Sequence, residues 1–297
     1  MNRIVRLPRG RFLQLEPFSI MAIVNVTPDS FYAPSRQNGA DAARGAALAA
    51  LHKGADCIDI GGESTRPGSA AVSAEEELAR VVPAVAALRA VSDVPISVDT
   101  KKSAVARAAL EAGADIINDV SAGADPGMIE TAAEFGAALV LMHMRGEPGT
   151  MQKGLSEAAP YADCPREVAD YLCRAAERAL AAGVGADAVL LDPGIGFGKR
   201  LEDNLALIAR IGELCSRGYP VLVGLSRKSF VGAVSGRPVE DRLAGSLGAA
   251  AAAWEGGARV FRVHDPAETR DALALYAACR TGRAPDKAEG GRPWISA

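Results

Sequence analysis

Cysteine is scarce and unpatterned in this sequence. The five residues Cys57, Cys164, Cys173, Cys215 and Cys279 are scattered, odd in number and never spaced C-x-x-C. That excludes a disulfide framework and a cysteine-ligated zinc, and it points to a reducing compartment. Histidine is scarcer still: His52, His143 and His264 are too few and too dispersed for a three-histidine zinc site. No apolar run approaches the roughly 20 residues of a membrane-spanning helix, and the small-residue stretch around 245–254 is far too short. The basic start (Arg3, Arg6, Arg9, Arg11) has no long apolar segment behind it, so it does not read as a secretory signal. Neither sign of charge dominates: 33 Lys and Arg face 36 Asp and Glu, for a net charge of −3. This argues against a nucleic-acid footprint and leaves room for a local basic pocket that takes a small anion. No linker divides the chain. The expectation is one cytoplasmic domain whose size suits a single eight-stranded α/β barrel.

What the sequence does contain is a repeat of short apolar runs that stop at polar residues. The runs are Ile20–Val24, Cys57–Ile60, Pro95–Val98, Ile116–Ile117, Ala137–Met142, Ala188–Leu191, Val221–Val223 and Arg259–Val263. At or just after their ends stand Asn25, Glu63, Asp99, Asn118, His143, Asp192, Lys228 and His264. Between the runs lie alanine-rich, helix-like stretches that close on glycine: Gly54-Ala55-Asp56, Gly113-Ala114-Asp115, Gly185-Ala186-Asp187, Gly257-Ala258-Arg259 and, more weakly, Gly136-Ala137. Glycine suits the left-handed position after a helix, and a strand follows each time. Strands alternating with helices imply a parallel sheet. The predicted fold is a (β/α)8 barrel over 19–281, with a lead-in or hairpin at 1–18 and a polar tail at 282–297. Ser73 and Glu76 have capping-box spacing. Pro83 inside the next helical pattern predicts a kink or a new segment.

A parallel barrel gathers its strand C-termini on one face, so residues distant in sequence line one site. Asn25 offers a neutral oxygen to a metal or phosphate, although Asn25–Ser30 also has turn composition. The stretch Asp59–Gly68 combines glycines with Thr65 and Arg66 and reads as a mobile lid, and a carboxylate at Asp59 inside an apolar run is costly unless partnered. The glycines of Asp192-Pro193-Gly194-Ile195-Gly196-Phe197-Gly198-Lys199 alternate. They match neither G-x-G-x-x-G nor a Walker loop, so a dinucleotide reading is weak. Asp192 is better read as an acceptor for a polar ring edge. Arg262 and His264 alternate on the last strand, next to Asn25 around the ring, and form a candidate anion pocket with Ser226-Arg227-Lys228. The alternative is a salt bridge from Arg262 to a carboxylate inside the barrel. His143 reads as a packed or lining residue and His52 as solvent-facing.

Seven strings in order, NVTPDSF (25–31), DIGGESTRPG (59–68), SVDTKK (97–102), INDVSAG (117–123), LDPGIGFGK (191–199), GLSRKS (224–229) and RVHD (262–265), resemble the dihydropteroate synthase family over about residues 18–280. The resemblance implies a (β/α)8 barrel that joins 6-hydroxymethyl-7,8-dihydropterin pyrophosphate to p-aminobenzoate and releases pyrophosphate. It assigns Asp99, Asn118, Asp192, Lys228 and Arg262 to the pterin. Asn25, Arg262 and His264 go to the pyrophosphate, with Mg²⁺ at Asn25. Thr65, Arg66, Phe197, Lys228 and Ser229 border p-aminobenzoate, and Asp99, Lys228, Arg262 and His264 carry the catalysis. Ser229 is expected to open a helix whose N–H groups hold the p-aminobenzoate carboxylate. The resemblance also implies a homodimer through barrel helices and sensitivity to sulfonamides.

Other readings use parts of the same constellation. A methyltetrahydrofolate–corrinoid methyltransferase shares the barrel and the pterin residues but needs no pyrophosphate site. A class I aldolase would use Lys228 as a Schiff base. A pterin-binding protein without catalysis is suggested by one departure from the family: Tyr32-Ala33-Pro34-Ser35-Arg36 stands where Ser-Asp-Gly-Gly is usual, and Arg36 could then meet the pyrophosphate. Exchanging flexible glycines for proline predicts a stiffer first loop. Its amides over 29–38 should exchange with deuterium more slowly when pterin and pyrophosphate are bound; rapid exchange that ligands leave unchanged contradicts an ordering lid.

Overall fold

A computed structural model describes residues 3–26, 36–63, 72–146, 151, 155 and 160–283, with backbone alone for 36–38. The chain begins with a hairpin, β1 (Ile4–Arg6) and β2 (Phe12–Gln14), paired antiparallel. Alternating strands and helices follow: β3 (Ser19–Asn25), α1 (Arg36–His52), β4 (Cys57–Gly61), α2 (Ala74–Arg89), β5 (Ile96–Asp99), α3 (Ser103–Glu111), β6 (Ile116–Asp119), α4 (Met128–Phe135), β7 (Ala138–Met142), α5 (Cys164–Ala181), β8 (Val189–Asp192), α6 (Leu201–Ala209), α7 (Ile211–Cys215), β9 (Leu222–Gly224), α8 (Ser229–Ser235), α9 (Leu243–Glu255), β10 (Val260–Val263) and α10 (Pro266–Thr281).

The eight strands β3–β10 run parallel in one sheet of order β8-β7-β6-β5-β4-β3-β10-β9. A bridge between Leu191 and Val221 joins its two edges, so the sheet closes into the predicted barrel. Every one of the eight apolar runs is a barrel strand. Their side chains are almost wholly buried, with Ile58, Ile60, Ile96, Ile116, Ile117 and Phe261 among the largest in the core. Among the described residues, no helix is long and apolar enough to cross a membrane.

Local signals explain most element ends. Ser73 Oγ accepts the Glu76 amide at 3.2 Å and starts α2. Gly54, Gly113 and Gly257 take φ of 102°, 113° and 111° where their helices turn into strands. After α5 the structure departs from the expectation, because the left-handed residue is Gly183 (φ 100°) and not Gly185. The helix stops at Ala181, two residues earlier than the repeat suggests. At Pro83 one of the two alternatives fails: α2 is one helix through it, and no second segment starts there. The proline interrupts the hydrogen-bond ladder, while Val81, Ala84, Val85 and Leu88 keep the helix buried against the core.

The hairpin sits at the N-terminal ends of the strands. Arg6 pairs with Asp187 at 2.8 Å, and the Arg6 amide donates to the Asp187 carbonyl at 3.0 Å. Asp115, fully buried at the foot of β6, accepts Arg11 Nη2 at 2.6 Å, Arg89 Nη2 at 2.6 Å and the Ile96 amide at 3.0 Å. Arg9 Nη1 adds a longer contact at 3.4 Å. One carboxylate thus ties the hairpin, α2 and two strands together. Removing one partner of a buried ion cluster strands the others' charge. Asp115→Ala is therefore expected to cost about 3–5 kcal/mol in urea unfolding; a loss below about 1 kcal/mol would place it with exposed pairs.

Candidate active site

In a parallel ladder, paired residues face the same side of the sheet. Asn25 pairs with Gly61, Gly61 with Asp99, and Asp99 with Asn118. These four form one rung across β3–β6. The rung below holds Ile23, Asp59, Ser97 and Ile116 in the same order. Asp192, paired with Met142, stands at the end of β8. Gly61 matters for what it omits: a Cβ there would lie 3.5 Å from Asp99 Cβ and 3.6 Å from Asn25 Oδ1. A larger residue would fill the space between the amide and the carboxylate.

Arg262 enters from β10 and lies across the barrel. Its Nε donates to Asp59 Oδ2 at 2.6 Å and its Nη2 to Asp99 Oδ2 at 2.5 Å. The salt bridge inside the barrel, the alternative to a free anion pocket, is therefore present. Two buried carboxylates account for it, since each is costly without a cation. Asn118 Nδ2 donates to the same Asp59 oxygen at 3.2 Å. Burial pushes the Asp99 carboxyl up to about 7, against the opposing pull of Arg262. Burial works to lower the Arg262 guanidinium, and the Asp59 and Asp99 charges more than offset it, so it stays charged. Asp192 is also raised by burial, with Lys228 and the Gly194 amide (2.7 Å) pulling the other way.

Lys228 comes from the other side of the ring. Its ammonium donates to the Ile195 carbonyl and lies 4.3 Å from the centroid of the Phe197 ring. Burial lowers it to about 8, with Asp192 restoring part of the shift. The alternating glycines now have a reason. Gly194 and Gly198, at φ of 64° and 62°, are in close contact with the end of β7: an added Cβ would meet the His143 carbonyl oxygen at 1.9 Å and the Arg145 carbonyl oxygen at 2.0 Å. Gly196 is the one that faces Lys228. The loop is shaped to present a carbonyl and a ring to an amine.

Of the other expected residues, Ser229 is exposed and begins α8, with Lys228 as its N-cap. His264 is exposed, with Nδ1 3.2 Å from Ser226 Oγ. His264 and Asn25 line one cleft of about 340 Å³ together with α1 residues and Pro266. Thr65 and Arg66 fall within 64–71, and most of Tyr32–Arg36 within 27–35, outside the described residues. His143 is buried against Tyr171 (4.9 Å between ring centroids), a packed role, and burial drops its pKa to about 3. His52 is exposed, as read. The expected site residues omitted Asp59, although a carboxylate inside an apolar run was its signal. Lys199 left no signal at all, because its partners are backbone carbonyls.

A family model described as pterin binding enzyme matches residues 21–264. The chain belongs to the pterin-binding enzyme family. Within that family it is 45% identical over 271 residues to dihydropteroate synthase of Escherichia coli strain K12, covering 91% of this chain and 94% of that protein. It is also 45% identical over 284 residues to a Mycobacterium leprae protein named inactive dihydropteroate synthase 2, covering 94% and 96%. The structure of Xanthomonas albilineans dihydropteroate synthase with 4-aminobenzoic acid superposes with a TM-score of 0.85 at 44% identity, over 93% of this chain and 98% of that one.

Proposed function

We propose that this pterin-binding enzyme is a dihydropteroate synthase, which condenses 6-hydroxymethyl-7,8-dihydropterin pyrophosphate with p-aminobenzoate. The observation that carries the reading is the convergence of Asp99, Asn118, Asp192, Lys228 and Arg262 on one barrel mouth. An aminopyrimidinone edge alternates donors and acceptors, and carboxylate, amide and ammonium groups complement it. In the reaction the bond from the pterin methylene carbon to the pyrophosphate oxygen breaks, and pyrophosphate leaves with the electron pair. The aniline nitrogen attacks that carbon and then loses a proton. The Asp99 carboxylate stabilises the positive charge that develops on the pterin. Arg262, held by Asp59 and Asp99, stacks on the ring and, with Asn25 and His264, adds positive charge where the anion departs. Phe197, Lys228 and Ser229, together with Thr65 and Arg66, border p-aminobenzoate. The arylamine is already neutral near pH 7, so no strong base is required.

Among the described residues, no group of three or more His, Cys, Asp and Glu side chains could hold a metal by itself. Asn25 offers one amide oxygen at the rim, a donor set that fits Mg²⁺ when phosphate oxygens and water complete its shell. Bound there, Mg²⁺ would neutralise charge on the leaving group. The resemblance further supports a cytoplasmic homodimer, and Leu275 of α10, 68% exposed, is available on the helical surface.

A second reading has its own support. The Mycobacterium leprae relative named inactive matches as much of the chain as the Escherichia coli enzyme does. The Ala33-Pro34 departure falls in the first loop, where the family's usual aspartate and glycines are replaced. Turnover of both substrates with pyrophosphate detection decides between them: release of pyrophosphate that depends on p-aminobenzoate is expected, and binding without release would establish the non-catalytic reading.

If the enzyme turns over, Lys228→Ala and Asp192→Ala should weaken pterin binding strongly, while Arg66→Ala spares pterin and damages p-aminobenzoate use. Equal loss of pterin affinity in all three contradicts that division. The pH dependence follows from Asp99. It must be ionised to stabilise the cation and is half protonated at about 7. kcat/KM for the pterin substrate should therefore fall about tenfold per unit on the acid side of that value. In Asp99→Asn this limb should vanish; its persistence would assign the limb to another group.

A further inference from the structure

We propose that Lys199 is a positioning residue for p-aminobenzoate: its buried ammonium ties the end of β7 to the loop after β8 and so fixes the place of the Phe197 ring. The proposal rests on the dihydropteroate synthase reading. Lys199 is 3% exposed. Its Nζ donates to the carbonyl oxygens of Gly194 at 2.9 Å, His143 at 3.1 Å and Phe197 at 3.2 Å. An ammonium has three N–H donors and no acceptor, so these carbonyls use all of them. Asp192 and Asp203 act on it only through space. Burial pushes its pKa down to about 7, so a charged lysine here carries a cost that surface lysines do not.

The geometry shows why a cation belongs at this point. Gly194 and Gly198 bring the loop into backbone contact with His143 and Arg145. Three carbonyl oxygens from two separate strand ends then converge. The Gly194 carbonyl also accepts the Phe197 amide at 3.1 Å; without the ammonium between them the three oxygens would lose their shared donor and repel one another. Between the two contact points the loop carries the Ile195 carbonyl and the Phe197 ring, both of which hold Lys228. Lys199 touches neither substrate site itself; it holds the frame on which Phe197 stands. Asp99 and Asn118 lie on β5 and β6, whose ladder is independent of this loop. Of the pterin residues, Asp192 and Lys228 adjoin the loop, whereas Asp99, Asn118 and Arg262 do not, so loosening the loop should damage p-aminobenzoate use more than pterin use.

The test uses the purified full chain with Lys199→Met, which has no donors, and Lys199→Gln, which keeps two. Amide hydrogen exchange and steady-state constants for both substrates are measured. In Lys199→Met, exchange across 193–199 should quicken about tenfold while β5 and β6 stay protected. KM for p-aminobenzoate should rise about tenfold with that for the pterin substrate within about threefold. Lys199→Gln should fall between. Unchanged exchange, or equal rises in the two KM values, overturns the proposal. Should neither variant fold, the wild type carries its own readout. A protected lysine Nζ signal coupled through hydrogen bonds to the carbonyl carbons of residues 143, 194 and 197 is expected, and its absence overturns the clamp. A wild type that shows no turnover would count against the enzyme reading, while the exchange data still judge Lys199.

Discussion

Buried carboxylates need cations, and Arg262 meets that need for two of them at once. Asp59 and Asp99 sit on successive strands at neighbouring depths, buried inside the barrel. An unpaired carboxylate there would cost several kcal/mol. One guanidinium reaching across the ring from β10 serves both. The same constraint recurs on the opposite wall, where Asp192 and Lys228 sit within reach of each other's field. The free protein thus pairs one oxygen of each carboxylate, while Asp59 Oδ1 and Asp99 Oδ1 are buried without a hydrogen-bond partner. A pterin that binds here meets carboxylates already held by Arg262, each with a second oxygen left to accept a donor. The same arrangement explains why Asp99 titrates near neutrality even though it is paired. Its guanidinium is shared, and burial outweighs the half-share that remains.

The sequence made much of this legible, and the reasons are physical. A short run buried on both faces reads as continuous apolar residues, so all eight strands were visible. Barrel closure then fixed which ends meet, and Asn25, Asp99, Asn118 and Asp192 followed from strand position alone. What stayed hidden depends on angles that a linear pattern does not carry. Arg262 stands level with Met21 and Cys57, two residues below Asp59, an offset set by ladder register. Lys199 pairs with carbonyls, which every residue possesses, so no side-chain pattern marked it. Pro83 offered a second segment as one alternative, and burial of one continuous helix against the core rules that alternative out. At the end of α5, the glycine that fits the repeat was not the one in the left-handed turn.

The two ends of the barrel are built on opposite logics. At the floor, one anion is surrounded by three arginines, two from the hairpin and one from α2, and joins these elements to the barrel. At the mouth, cations and anions are nearly matched, and their partners are groups that a substrate can replace. Stability and chemistry are thereby assigned to different rims. This is the division expected of parallel barrels, in which loops at the strand C-termini vary while the opposite face holds the fold.

Lys228 rests on the carbonyl oxygen of Ile195, and a main-chain oxygen survives any amino-acid exchange at its own position. Genetic drift at residue 195 can alter bulk and greasiness but cannot delete that acceptor. Heritable changes around this amine are therefore channelled elsewhere, toward the ring at 197.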